Sequence, residues 1–311
     1  MKVALCITAA LLLLFIIATY ICFRLTFYSK TKDKNKGFSL PPGPAYEPYR
    51  EKMHAWAKEI KSIPHEDVSV ISFDGLTLRG KLYEYAPGAD IELMFPGYRG
   101  CAERDLCGGV QRCFSLQRSA LIVDQRGGGT SDGHIISFCI NEHKDCLTWV
   151  DYLTKRFGNT RRVILTGISM GASTVLAACG EELPENVVGV IADCGFTCPK
   201  EIIKLVIKQI GLPAELLYPL VRLSGMLYGG FDLESVTSIE QVKKTKLPVF
   251  FAHGADDDLV PSYMSQANYD ACPTAKLLLS VPKAGHGLAY VVDPEGYVEA
   301  LRKIEPEYRK L

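Results

Sequence analysis

The stretch Gly167-Ile168-Ser169-Met170-Gly171 constrains this chain more than any other. It follows the β-branched apolar run Arg162-Val163-Ile164-Leu165-Thr166 and leads into Ala172-Ser173-Thr174-Val175-Leu176-Ala177-Ala178. That pattern predicts a strand, a sharp turn and then a helix. A serine on so tight a turn takes a strained backbone conformation, and glycines on either side let strand and helix approach without a Cβ clash. The turn lifts the Ser169 hydroxyl clear of the sheet and leaves the Met170 amide at the positive end of a helix. Both groups suit acyl transfer, the hydroxyl as the attacking atom and the amide as a donor to the developing oxyanion. Alone the motif is only moderately specific, because small residues also cluster in ordinary strand-to-helix turns.

The rest of the chain supplies a matching rhythm. Val68 to Phe73 and Leu76 to Tyr85 alternate around Asp74-Gly75, a hairpin signal. Six further strands are expected over 91–95, 120–124, 162–168, 187–193, 247–252 and 276–281. Helices are expected over 101–118, 140–157, 170–181, 263–271 and 294–306. The alternation predicts an α/β fold with a mostly parallel, eight-stranded sheet covered by helices on both faces, its site beyond the carboxyl ends of the strands. Residues 197–246 break the rhythm with amphipathic pieces (Glu201 to Ile210, Pro213 to Tyr228) and no strand, as an inserted helical cap would. Glu47 to Ile63 has a helical period with Met53, Trp56, Ala57 and Ile60 on one face.

Val3 to Phe23 contains no charged residue and is long enough to cross a hydrocarbon core as a helix. A cleaved signal peptide would have a shorter apolar region ending in small residues, whereas this one ends Tyr20-Ile21-Cys22-Phe23. The division expected is a transmembrane anchor over 1–28, a Lys- and Pro-rich tether with a leading helix over 29–64, and the α/β domain over 65–311. Arg24, Lys30, Lys32, Lys34 and Lys36 follow the span and only Lys2 and the amine precede it, which favours a cytoplasmic α/β domain. Of 11 cysteines, the nine beyond the span are odd in number and scattered, unlike a secreted disulfide framework. Their spacing matches no zinc pattern, so all nine are expected to be small buried hydrophobes and no metal is implied. Lys+Arg and Asp+Glu both number 35, so no global basic field exists to hold nucleic acid.

A serine nucleophile needs a base, and the base needs an orienting acid. Of six histidines, His286 lies in Ala284-Gly285-His286-Gly287, directly after the last expected strand. His253 ends the preceding strand and reads better as a histidine satisfied by local hydrogen bonds. The run His253-Gly254-Ala255-Asp256-Asp257-Asp258-Leu259-Val260-Pro261 supplies the acid. Asp257 is preferred, Asp256 and Asp258 stay open, and Asp193 is a more distant alternative. Phe95-Pro96-Gly97-Tyr98 follows the first buried strand, and its turn frees the Tyr98 amide as a second oxyanion donor.

Along the chain, the Pro-Gly-Tyr loop, the loop Asp124-Gln125-Arg126-Gly127-Gly128-Gly129, the serine turn, the His253 to Pro261 run and Gly285-His286-Gly287 follow the order seen in the α/β-hydrolase superfamily, which the chain resembles. The likeness covers about residues 65 to 308 and is strongest to bacterial, membrane-anchored esterase and serine peptidase-like members. It implies Ser169 as nucleophile, His286 as base, Asp257 as acid, and the Tyr98 and Met170 amides as the oxyanion hole, with no cofactor. Two departures stand out. Phe95-Pro96 occupies the place where members often carry histidine, and the Gly127 to Gly129 loop is unusually rich in glycine. No lysine and serine follow those glycines as a phosphate cradle requires. The activity implied is hydrolysis of a small ester or acyl substrate through an acyl-serine. A serine peptidase or amidase, and a non-catalytic membrane-tethered interaction protein, are the alternatives.

Overall fold

The computed structural model describes residues 1–30, 43–106 and 108–310. Most of the expected tether (31–42) and Cys107 therefore lie outside the described residues. In chain order the elements are α1 (Lys2–Thr26), α2 (Arg50–Ser62), β1 (Glu66–Ile71), β2 (Thr77–Tyr83), β3 (Ile91–Phe95), α3 (Ala102–Asp105), α4 (Gly109–Ser115) and β4 (Ser119–Val123). They continue as α5 (Glu142–Phe157), β5 (Val163–Ile168), α6 (Met170–Ala178), β6 (Val187–Asp193), α7 (Pro199–Gln209) and α8 (Ala214–Ser224). After α8 comes a π-helical turn, Gly225–Gly229. The remaining elements are α9 (Ser238–Val242), β7 (Val249–Gly254), α10 (Tyr263–Ala271), β8 (Lys276–Val281), α11 (Ala289–Val292) and α12 (Pro294–Tyr308).

The eight strands form one sheet in the order β1-β2-β4-β3-β5-β6-β7-β8. Only the pairs β1–β2 and β2–β4 are antiparallel; the other five run parallel. The β1–β2 hairpin pairs Ile71 with Thr77, and Gly75 sits in its turn at φ +87°, a conformation open to residues without a Cβ. Alternation along the central strands divides the core between two faces. Leu93, Leu165 and Phe251 pack with Trp149 and Val150 of α5 and Val175 and Leu176 of α6. Ile164, Ile191, Phe250 and Ala252 point the other way, onto Met53 and Ala57 of α2 and Tyr297 and Leu301 of α12.

Helix 101–118 is the one expected element that the structure breaks, into α3 and α4. Gly108 lies between them and Gly109 opens α4. A Cβ on Gly108 would lie 2.7 Å from the Trp56 ring, and one on Gly109 would lie 2.4 Å from Met94 Cε. Close packing therefore requires the residue type that disfavours a continuous helix. The expectation of uniformly buried cysteines also needs correction. Cys113, Cys139, Cys146, Cys179, Cys194 and Cys272 are buried, but Cys101 and Cys198 are half-exposed.

Between β6 and β7 the chain forms α7, α8, the π-helical turn and α9, with no strand. The last turns of α1 pack on this unit. Phe27 meets Phe231 and Phe138 edge-on, and Phe23 lies against Tyr228. Thr19, Phe23 and Phe27 are buried, whereas residues 1–17 of α1 are exposed. Burying each of those phenylalanines contributes about 1.5–3 kcal/mol, enough to hold the end of α1 against the domain.

Candidate active site

The site is assembled from the ends of β3, β5, β7 and β8, where parallel strands deliver their loops to one edge. Ser169 links β5 to α6 at φ +57° and ψ −121°, and its amide donates to Asp193 O at 2.8 Å. The flanking glycines are sterically required. A Cβ on Gly167 would lie 2.1 Å from Gly171 O, and one on Gly171 would lie 2.1 Å from Phe95 O. Helix and strands are thus packed backbone to backbone at the turn.

His286 follows β8 and reaches Ser169. Its Nε2 lies 2.8 Å from Ser169 Oγ, and its Nδ1 lies 2.7 Å from Asp257 Oδ2. With Nδ1–H donating to the carboxylate, Nε2 is left to accept the serine proton. Tyr46, ahead of α2, donates from its hydroxyl to His286 O at 3.0 Å and fixes the loop from the other side. Asp257 is held in turn, its Oδ1 accepting from the Leu259 and Val260 amides at 3.0 and 2.9 Å. Burial raises the Asp257 carboxyl, but hydrogen bonds with His253 and His286 outweigh it and hold the group well below the usual carboxylate range. Of the acids left open by the sequence, Asp257 is the one whose carboxylate meets His286. Asp193 is buried at the end of β6, and among the described residues its Oδ1 meets no hydrogen-bond partner.

His253 is satisfied locally, with Nδ1 2.6 Å from Ser265 Oγ and Nε2 2.8 Å from Val260 O. It also lies 3.2 Å from Asp257 Oδ2, so it buttresses the acid from behind. Cys194, Asp257 and His286 offer ligand atoms within 4.8 Å of one another. Burial pushes the Cys194 thiol well above its ordinary range.

Gly97 lies beside the serine, where a Cβ would come 3.7 Å from Ser169 Oγ. Its amide donates to Asp105 Oδ2 at 3.2 Å. Gln125 steadies the same loop by donating to Pro96 O at 2.6 Å, while its Oε1 accepts from Thr174 of α6. Among the described residues, neither the Tyr98 nor the Met170 amide donates to a backbone or side-chain acceptor. Sequence reasoning missed Asp105, Gln125 and Tyr46, because each acts through a partner distant in the chain. The 124–133 loop turns out to be a structural brace. Asp124 accepts from the Ala102 and Thr130 amides, and a Cβ on Gly129 would collide with that carboxylate at 2.1 Å.

The loop carrying Tyr98 is also fastened to α1. The Tyr98 hydroxyl, pushed up to about 12 by burial, donates to Thr26 O at 2.6 Å. Arg99, at φ +53°, donates to Leu25 O and Tyr28 O at 2.8 and 3.0 Å.

A family model described as alpha/beta hydrolase fold matches residues 93–218. The uncharacterized protein YqkD of Bacillus subtilis (strain 168) is 30% identical over 192 residues, covering 61% of this chain and 63% of that protein. Polyketide transferase grgF of a Penicillium species is 29% identical over 123 residues, covering 38% of this chain and 41% of the relative. The chain thus spans less than two thirds of the length of either relative. Among solved structures, the Pyrococcus furiosus esterase Pf2001 superposes with a TM-score of 0.63 at 21% identity, covering 80% of this chain and 93% of that one.

Proposed function

We propose that this member of the α/β-hydrolase superfamily is a serine hydrolase that cleaves carboxylic esters through an acyl-serine intermediate. One observation carries the reading: a continuous line of hydrogen bonds from Ser169 Oγ through His286 to Asp257, at 2.8 and 2.7 Å. His286 Nε2 takes the Ser169 proton as Oγ attacks the ester carbonyl. The carbonyl becomes tetrahedral, and the Tyr98 and Met170 amides stabilise its charge. His286 then protonates the departing alcohol, and water, activated by the same imidazole, releases the acid. Asp257 stays ionised throughout and stabilises the imidazolium.

Likeness to an esterase fold and to a polyketide transferase both fit an acyl-enzyme, which passes its acyl group either to water or to another acceptor. Fluorophosphonate labelling followed by peptide mapping tests the nucleophile, with Ser169 expected to carry the adduct. Ser169→Ala is expected to lose hydrolysis of a short p-nitrophenyl ester by several orders of magnitude. Full turnover in that variant overturns the assignment.

Our reading of localisation is a membrane protein anchored through α1, with the α/β domain on the cytoplasmic side. Its support is the length and apolarity of α1 together with the lysines that follow it. Protease protection in sealed vesicles tests the side, and a soluble chain shortened at its amino end would instead indicate a cleaved signal.

A further inference from the structure

The charge-free run Val3 to Phe23 is bounded by Lys2 and Arg24. At 1.5 Å per residue these residues make a helix about 30 Å long, the thickness of a hydrocarbon core. A span of that length has none to spare, so the near edge of the hydrocarbon must fall at about Phe23. The cap, however, touches α1 further in. The Tyr228 hydroxyl lies 3.2 Å from Thr19 Oγ1 and 3.5 Å from Ile16 O. Its ring packs on Tyr20 and Phe23 at centroid distances of 5.6 and 5.5 Å. Thr19 and Ile16 stand four and seven residues inside Phe23, which is roughly 6 and 10 Å along the axis.

Tyr228 belongs to the π-helical turn Gly225–Gly229, where Met226 and Leu227 are 50% and 59% exposed. Leu223 to Phe231 contains no charge, whereas Arg222 precedes it and Asp232 follows. Those two flanking groups pair with each other at 2.7 Å, and Arg222 also reaches Glu234 at 3.1 Å. On the α1 side the first charge is Arg24, whose guanidinium lies 3.6 Å from the Tyr28 ring centroid. An apolar turn flanked by charges at both of its ends is the pattern of a segment that dips into a bilayer to a fixed depth.

We propose that the tip of the cap, Gly225–Gly229, is a second membrane contact immersed in the bilayer beside α1, with Met226 and Leu227 facing lipid. This rests on the reading of α1 as a membrane span. The paired Arg222, Asp232 and Glu234 then lie at headgroup level and stop the cap from sinking further. Behind the tip, a buried chain of rings runs from Tyr228 through Phe23, Phe27 and Phe138 to Tyr98, so the membrane contact is linked by packing to the candidate oxyanion loop.

The test uses the full chain reconstituted in vesicles whose acyl chains carry bromine, a contact quencher of indole. Leu227→Trp and, separately, Met226→Trp add an indole at the tip, and Phe15→Trp adds one inside the span. The native Trp56 and Trp149 provide the background. The expected result is blue-shifted, strongly quenched emission from either tip indole, stronger with shallow bromines than with deep ones. Water-like, unquenched emission from both tip variants alongside a quenched Phe15→Trp overturns the proposal and leaves the anchor intact. An unquenched Phe15→Trp overturns the anchor reading and this proposal with it. None of these readouts depends on catalysis, so they stand apart from the esterase assignment.

Discussion

Asp257 concentrates the electrostatics of the site in one residue. Two backbone amides and two histidines surround its carboxylate, and their hydrogen bonds overcome the cost of burial. Asp257→Asn keeps the shape but loses the charge and favours the wrong imidazole tautomer, so kcat is expected to fall about 10⁴-fold in ester hydrolysis. The shift also sets an acid-side stability. The folded carboxyl titrates below the unfolded value of about 3.9, so as pH falls the unfolded chain takes up the proton first. The stabilisation is complete above about pH 5 and disappears as acidity passes through the folded pKa. Calorimetry should therefore show the Tm gap between wild type and Asp257→Asn narrowing as the pH falls from about 5 to about 2. A gap that stays constant across that range removes the linkage.

At the scale of elements, what matters is how closely β3, β5 and α6 approach at the serine turn. Gly171→Ala drives a methyl group to 2.1 Å from Phe95 O, against backbone that cannot swing away. A loss of at least about 1–3 kcal/mol is expected, read as a lower midpoint in urea, with activity falling because the same shift moves Ser169. The Pro96–Arg99 loop is held from three directions, by Asp105, by Gln125 and by the carbonyls at the end of α1. Arg99→Ala removes the grip on Leu25 O and Tyr28 O while leaving the reacting residues untouched. We expect kcat to drop several-fold with KM little changed, because on the proposed mechanism the Tyr98 amide acts on the oxyanion and so matters most in the transition state. Equal kcat in the variant would mean that Asp105 and Gln125 suffice. These braces were not legible beforehand: nothing in the local pattern of Gln125 or Asp105 distinguishes it from any polar residue in a loop.

On the scale of the molecule, α1 is more than a tether. Its final turns complete an apolar cluster with Phe138, Phe196 and Phe231, which reaches Met170 at the start of α6. Deleting residues 2–26 uncovers that cluster. The shortened chain is expected to unfold at lower temperature and to self-associate, which sedimentation against the full chain in the same detergent will show. A monomer of unchanged Tm would mean that the cap closes over the exposed rings.

Periodicity and turn chemistry alone determined the eight strands, their parallel character and the helical interruption before β7, because alternation and glycine placement are properties of neighbouring residues. They also singled out Ser169 and His286, each marked by flanking glycines that a strained or crowded loop requires. Tertiary structure decided which of three adjacent acids meets the imidazole, since Asp256, Asp257 and Asp258 differ in direction and not in chemistry. It decided as well that the glycine-rich 124–133 loop is a brace, that the helix expected over 101–118 breaks ahead of Gly109, and that α1 ends against the loop carrying Tyr98. Each of these depends on groups far apart in sequence meeting at van der Waals or hydrogen-bond distance, and no local pattern encodes such a meeting.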